Sequence, residues 1–355
     1  MEENNLKYFL AANSCEGFVS KFAGCYNPND DWRAYIIKGG PGTGKSSFMK
    51  YVGAKAEEKK INCIFCPCSS DPDSLDAVIL PDKKTVILDG TAPHTLDPVY
   101  PGVCEEILNF GEFWESKKLK NKTEIIEITN QNKVLHATAS RYLQAVGQLM
   151  IDNYKTALYC TQKSKALNFA QKLCNRYIKK SDGEPYEWVH FIGGISPKGI
   201  ISFPETIENT CKEIVVISDC YGAASNIIIG QVRQTALENG YEIITLKNPF
   251  LPSLITDHII IPELSLAFVT ENSYINFKSD SRRIHARRFT TNKLLHQSKE
   301  RLKFNKKAIS HLLNSASDTL LLAKTVHDKL ESHYIEAMNF HELNEFAEKF
   351  CKKIL

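Results

Sequence analysis

The sequence predicts an α/β protein made as a tandem duplication. Two copies of a three-layer unit with a mainly parallel sheet follow one another, each with a helical C-terminal tail, and the second copy is degenerate at its ligand loop. Three observations carry this. An apolar β-like run, Tyr35-Ile36-Ile37-Lys38, feeds directly into Gly39-Gly40-Pro41-Gly42-Thr43-Gly44-Lys45-Ser46-Ser47. Strand-like and helix-like segments alternate after it. Most of the pattern then returns about 180 residues later.

The glycine-rich stretch has the form G-x-x-x-x-G-K-S, a phosphate-binding P-loop, which makes the unit P-loop NTPase-like. Glycines let the backbone turn so that successive N–H groups point at phosphate oxygens, and the helix that follows adds its positive N-terminal end. Lys45 supplies a point charge for the β- and γ-phosphates of ATP, and Ser46 a hydroxyl for Mg²⁺. Downstream, Ser47 to Ala56 places apolar residues at helical spacing.

Ahead of the loop lie strand-like Lys7–Asn13 and Glu16–Ser20 and a polar turn at residues 27–30. After it, Ile61–Cys66 reads as a buried strand, followed by a loop over residues 69–76. Thr85-Val86-Ile87-Leu88-Asp89 reads as a strand whose closing acid would hold the Mg²⁺ shell. Gly90 stands where many ATPases carry a water-activating glutamate, which leaves Asp73, Asp76 and His94 as the nearest candidates for acid–base work. From His136 to about Tyr177 helical spacing runs without proline, and residues 179–185 form a charged, glycine- and proline-containing linker. The expected domains are therefore residues 1–178 and 189–355.

The repeat matches Phe9 with Phe191, Ile37 with Ile217, Pro81 with Pro262 and Cys174 with Cys351, at offsets of 182, 180, 181 and 177. On that alignment Gly39 meets Asp219, Lys45 meets Ser225, Ser46 meets Asn226 and Asp89 meets Thr270, and only Gly42 survives, as Gly222. A loop without its lysine and with an acid at the phosphate position is not expected to bind ATP.

These strings resemble an uncharacterised group of bacterial P-loop ATP-binding proteins built as a tandem duplication, some labelled ATPase or nucleotide kinase. The resemblance covers nearly the whole chain. It rests on residues 39–46, 71–76, 89–94, 97–102 and 259–264. It implies ATP binding on a P-loop fold and names no substrate.

Composition sets the remaining expectations. With 355 residues two domains are the prior, no apolar run is long enough to span a membrane, and Met1–Asn5 lacks the layout of a signal peptide, so a cytoplasmic protein is expected. The eleven cysteines read as reduced thiols, and Cys63, Cys66 and Cys68 as buried small hydrophobes rather than a metal site. Residues 278–307 hold eleven bases against two acids, a local charge of +9 in a chain of net +3. That segment is either a solvated face or the contact for a nucleic-acid or protein partner. One of Arg282, Arg283, Arg287 and Arg288 is expected to act as an arginine finger on the first copy's nucleotide. The expected activity is slow Mg²⁺-dependent ATP hydrolysis. Phosphoryl transfer to a small molecule or nucleotide and a nucleic-acid-associated ATPase are the alternatives.

Overall fold

The apolar runs of the first half assemble into a six-stranded sheet. In the computed structural model, which describes residues 6–278 and 281–355, the order is β1 (Leu6–Lys7), β2 (Ala11–Ser14), β3 (Gly17–Ser20), β4 (Arg33–Lys38), α1 (Lys45–Glu58), β5 (Ile64–Pro67), β6 (Leu75–Leu80), β7 (Thr85–Asp89), β8 (Glu105–Asn109), α2 (Lys122–Tyr159) and α3 (Lys163–Tyr177). Met1–Asn5 and Asp280 lie outside the described residues. The sheet runs β1-β5-β6-β7-β4-β8, and β2 and β3 form a separate hairpin.

The sheet is mixed, with three parallel pairings and two antiparallel ones on either side of β6. This corrects the expected plain alternation of strands and helices, because residues 75 and 76 open a strand instead of ending a loop. The connections explain it. Ser74 N–H donates to the Asp71 carbonyl at 2.8 Å, and a 3₁₀ turn at Pro81–Lys83 leads into β7. Links this short join antiparallel neighbours, whereas parallel ones need a long crossover. The layering also departs from expectation. One face of the sheet is covered by α1, and the other is packed by Leu10, Phe22, Tyr26 and Trp32 of the N-terminal segment instead of by helices.

The second half comprises β9 (Tyr186–His190), β10 (Gly193–Ser196), β11 (Gly199–Ser202), α4 (Pro204–Thr210), β12 (Glu213–Ser218), α5 (Ala223–Glu238), β13 (Glu242–Lys247), β14 (Thr256–Ile261), β15 (Leu266–Glu271), β16 (Arg282–His285), α6 (Asn292–Gln297), α7 (Lys299–Ile335) and α8 (Phe340–Ile354). Its sheet, β16-β12-β15-β14-β13-β9, repeats the first in order and strand direction. Even irregularities recur. The register shifts at Cys66/Pro67 and at Leu246/Lys247, and Gly17 and Gly199 both have φ 90. Two sheet–helix units of this likeness are consistent with a duplication.

The units meet about a pseudo-two-fold axis. Phe9 and Phe191, equivalent in the repeat, exchange backbone hydrogen bonds of 2.8 and 3.0 Å. The long helices α2 and α7 pack antiparallel, with Ala139, Leu143 and Val146 against Ile309, Leu313 and Leu320. The helices that follow them cross over. Glu115 N–H donates to the Ala337 carbonyl at 2.9 Å, and the symmetric Thr291 N–H donates to the Cys160 carbonyl at 2.8 Å. As a result α3 packs Ala166, Ala170 and Leu173 on Val232 and Phe268 of the second unit, while α8 packs Leu343, Ala347 and Phe350 on Phe48 and Phe110 of the first. Each tail thus completes the other unit's core, so packing does not follow the division into residues 1–178 and 189–355. The length of α2 explains the crossing: 38 residues carry the chain about 57 Å, past the axis. Among the described residues no helix is long and apolar enough to cross a membrane.

Phe350 sits edge-on to Tyr35 at 4.8 Å and 5.3 Å from Phe48. Phe350→Ala is expected to cost about 3 kcal/mol in denaturant unfolding. The first backbone amides to lose hydrogen-exchange protection should lie in β4 and α1, far from it in sequence.

Candidate functional site

β4 is buried from Ala34 to Ile37, and the chain leaves it through a loop that only glycine can follow without strain. Gly42 has φ 68 and Gly44 φ 79, both left-handed, and Gly44 is the N-cap of α1. A side chain at Gly39 would come within 2.8 Å of Thr43 Oγ1. The Thr43 hydroxyl donates to the Gly40 carbonyl at 2.8 Å, bracing the turn. Lys45 opens α1, donates from Nζ to the Gly40 carbonyl at 2.7 Å, and lies 3.6 Å from Asp89 Oδ2. Ser46 Oγ accepts the Leu75 N–H at 2.9 Å, tying the helix start to β6. Pro41 is half-buried and Ser47 faces solvent.

Asp89 ends β7, opposite Ile37 in the register with β4. Its Oδ1 accepts from Thr91 N–H at 2.9 Å and from the Thr91 hydroxyl at 2.5 Å, leaving Oδ2 toward Lys45. His94 comes from the following connection, which Lys38 pins by donating to the Gly90 and Leu96 carbonyls at 2.9 and 2.6 Å. The imidazole stacks flat on Phe22, ring centres 4.5 Å apart, and places Nε2 3.9 Å from both Asp89 Oδ2 and Asp76 Oδ1. These separations are ionic contacts, too long for hydrogen bonds. Both ring nitrogens are buried without a hydrogen-bond partner among the described residues.

Lys45, Asp89, His94 and Asp76 therefore form one cluster, with side chains only 5–13% exposed. Burial pushes the Asp76 carboxyl up to about 6, although His94 pulls the other way. Burial also works against charge on Asp89, but His94 and Lys45 outweigh it and hold that carboxyl below its ordinary value. For His94 the two carboxylates overcome burial and raise the imidazole above its usual value. The arrangement favours a charged His94 beside an ionised Asp89, with Asp76 the carboxyl closest to its neutral form.

Asp73, by contrast, lies at the surface. Its side chain is 70% exposed and paired with Lys198 of the other unit at 2.7 Å. Asp76 belongs to the cluster because it sits inside β6, facing β7. The available signal was an acid within the otherwise apolar run Leu75–Leu80. Burial raises the thiols of Cys63, Cys66 and Cys68, that of Cys63 to about 12. All eleven cysteines are unpaired, and among the described residues no group of three or more His, Cys, Asp or Glu side chains is arranged to hold a metal ion by itself.

The second unit supplies a comparison within one chain. Asp219, the counterpart of Gly39, turns its carboxylate into its own loop, where Oδ2 accepts the N–H groups of Ala224 and Ser225 at 2.8 and 3.0 Å. Those are the counterparts of Gly44 and Lys45. With alanine in place of Gly44, α5 also starts two residues earlier than α1 does in the repeat. An internal carboxylate thus takes up, in the second unit, the two N–H groups for which Gly39 offers no acceptor in the first.

The crossing brings α7 and α8 onto the first loop. Gly42 N–H donates to Glu331 Oε1 at 3.2 Å, a Cβ at Gly40 would meet the Trp114 and Tyr334 rings at 3.1 Å, and Leu343 packs at Gly44. His327, then the Gly42 N–H and Lys45, hold the Glu331 carboxyl below its ordinary value. The arginine finger is overturned by the same geometry. Arg282 donates to Tyr177 at 2.9 Å, Arg283 is paired with Glu271 at 2.8 Å, and Arg288 lies over Phe169 on α3, all against the second unit. Arg287 shares the 3₁₀ turn of Arg288. Compared with known proteins, the chain matches no protein-family model, no curated protein and no solved structure.

Asp257, the counterpart of Asp76, is buried against Asn248 with its carboxyl raised by burial to about 7 from an ordinary 3.8. A folded-state value above the unfolded one means stability is fully present below about pH 4 and lost as pH rises toward 7. Asp257→Asn should therefore match the parent at pH 3.5 in urea unfolding and exceed it at pH 8 by more than about 1 kcal/mol.

Proposed function

We propose that residues 39–47 bind ATP with Mg²⁺ and that the first unit hydrolyses it. The observation that carries this is the Asp219 carboxylate. In the duplicate of this very turn, a negative charge sits on the two N–H groups that Gly44 and Lys45 would offer to a phosphate. In the first unit the same turn adds a fixed cation, Lys45, and an ionised acid, Asp89, 3.6 Å away. We take the chain to belong with the tandem P-loop ATP-binding proteins it resembles, with ATP and Mg²⁺ as its cofactors.

The residues fit such a ligand. Gly39, Gly40, Pro41, Gly42, Thr43 and Gly44 would form the cradle, Lys45 would supply charge to the β- and γ-phosphates, and Ser46 and Asp89 would hold the Mg²⁺. When bound, the ion neutralises phosphate charge. Asp89 is kept ionised for that task by Lys45 and His94. His94 and Asp76, each raised above its ordinary value within the buried cluster, are the groups that can take and return a proton. Glu331 has to leave Gly42 for a phosphate oxygen to take its place, which makes that carboxylate a competitor from the second unit. Transfer to a hydroxyl acceptor in place of water uses the same residues, and acceptor-dependent ATP consumption would distinguish it.

Lys45→Ala is expected to weaken ATP binding or turnover by tenfold or more, at least ~1.4 kcal/mol, while Ser225→Ala changes neither. Calorimetry giving two equivalent ATP sites per chain would contradict the reading. Glu331→Gln removes a charge facing the phosphates and should tighten ATP about fivefold, on the order of 1 kcal/mol; unchanged affinity would remove Glu331 from the site.

A further inference from the structure

A groove of about 600 Å³ runs between α3 and β16 on the second unit, lined by Lys165, Phe169, Lys172, Arg176, Arg282 and Arg288. The helical residues stand at i, i+4, i+7 and i+11, one face of α3, so the cations extend over about 16 Å. Arg282 and Arg288 close the other side. None of the five cations is in an ion pair among the described residues, whose arginine pairs belong to Arg233, Arg283 and Arg301.

The duplication makes this informative. In the repeat, Lys165, Phe169, Lys172, Arg176, Arg282 and Arg288 correspond to Glu342, Phe346, Lys349, Lys353, Glu106 and Glu112. The same place on the first unit keeps the aromatic ring and changes the charge from +5 to −1, and there Lys353 is paired with Glu106 at 3.1 Å. Five like charges gathered where the fold tolerates a neutralised set repel one another, and an anionic ligand relieves that repulsion.

We propose that this groove binds a nucleic-acid strand through its phosphate backbone. The line of cations is open at both ends and continues into exposed Lys163, Lys179 and Lys180, which suits a chain of phosphates better than a compact anion. Of the two aromatic rings in the lining, Phe289 is fully buried and Phe169 is covered by the Arg288 guanidinium at 4.8 Å, so no platform remains for stacking bases. Contact is therefore with phosphates and carries no base preference. Three of the five cations lie in the first half of the sequence and only two in the basic segment 278–307.

The test uses the full chain carrying Lys45→Ala, which separates the groove from the glycine-rich loop, and a fluorescein-labelled 20-nucleotide oligothymidylate followed by anisotropy. Binding should weaken with salt at a log–log slope of about −3.5, five contacts at about −0.7 each. Adding Lys165→Gln, Arg176→Gln and Arg282→Gln should weaken it at least tenfold at low salt and reduce the slope by about 2, with the thermal midpoint unchanged. Lys349→Gln with Lys353→Gln on the first unit should leave both unchanged. No binding, or a slope indifferent to the triple change, overturns the proposal. So does tighter capture of inorganic tripolyphosphate than of the oligonucleotide, lost on the same triple change.

Discussion

The crossing of α3 and α8 is the constraint on which the rest of the structure depends. Each is a 15-residue helix whose apolar stripe has no place on its own unit, because α2 and α7 have carried the chain past the pseudo-two-fold axis. Burying Leu343, Ala347 and Phe350 against Phe48 makes the first unit's core conditional on the last residues of the chain. A hydrophobic gain spread over both crossings also couples the halves, since neither core is complete without the other. The same crossing sets Glu331 and Tyr334 on the glycine-rich loop and draws Lys165, Lys172 and Arg176 toward β16.

Divergence between the copies is mainly electrostatic. The backbone retains its strand order, its two register shifts and its left-handed glycines at 17 and 199. What changed is which charges face which cavity. At the loop, Asp219 and Ser225 stand where the first unit has Gly39 and Lys45, and the second unit's turn is closed by its own carboxylate. At the α3–β16 groove the difference runs the other way, with three acids and two bases on the first unit and five bases on the second. One unit thus presents a cationic loop and the other a cationic groove.

The cluster behind the loop shows how ionisable groups survive burial. An isolated charge there would be expelled by its desolvation cost, but Lys45, Asp89, His94 and Asp76 alternate in sign and lie within 4 Å of their neighbours. Asp76 holds the weakest position and is the group driven toward its neutral form. The two carboxyls are thus driven apart, Asp89 below its ordinary value and Asp76 up to about 6.

Local pattern was enough to locate β4, the glycine-rich turn, the start of α1, Asp89 at the end of β7 and the equivalence of Gly39 with Asp219. Each depends on residues within a few positions of one another, or on a repeat that can be aligned by counting. Helix α2 was legible as a helix, though it begins at Lys122 and not His136, since its polar first turns carry no apolar period. The antiparallel insertion of β6 was not legible, because a short, mostly apolar run has the same composition in either direction. The choice of Asp76 over Asp73 turns on which of two acids three residues apart enters a strand and which stays in the turn. Glu331 at Gly42 and the meeting of α3 with β16 join residues more than 100 positions apart, and only the crossing, a matter of helix length and two-fold packing, decides that they touch.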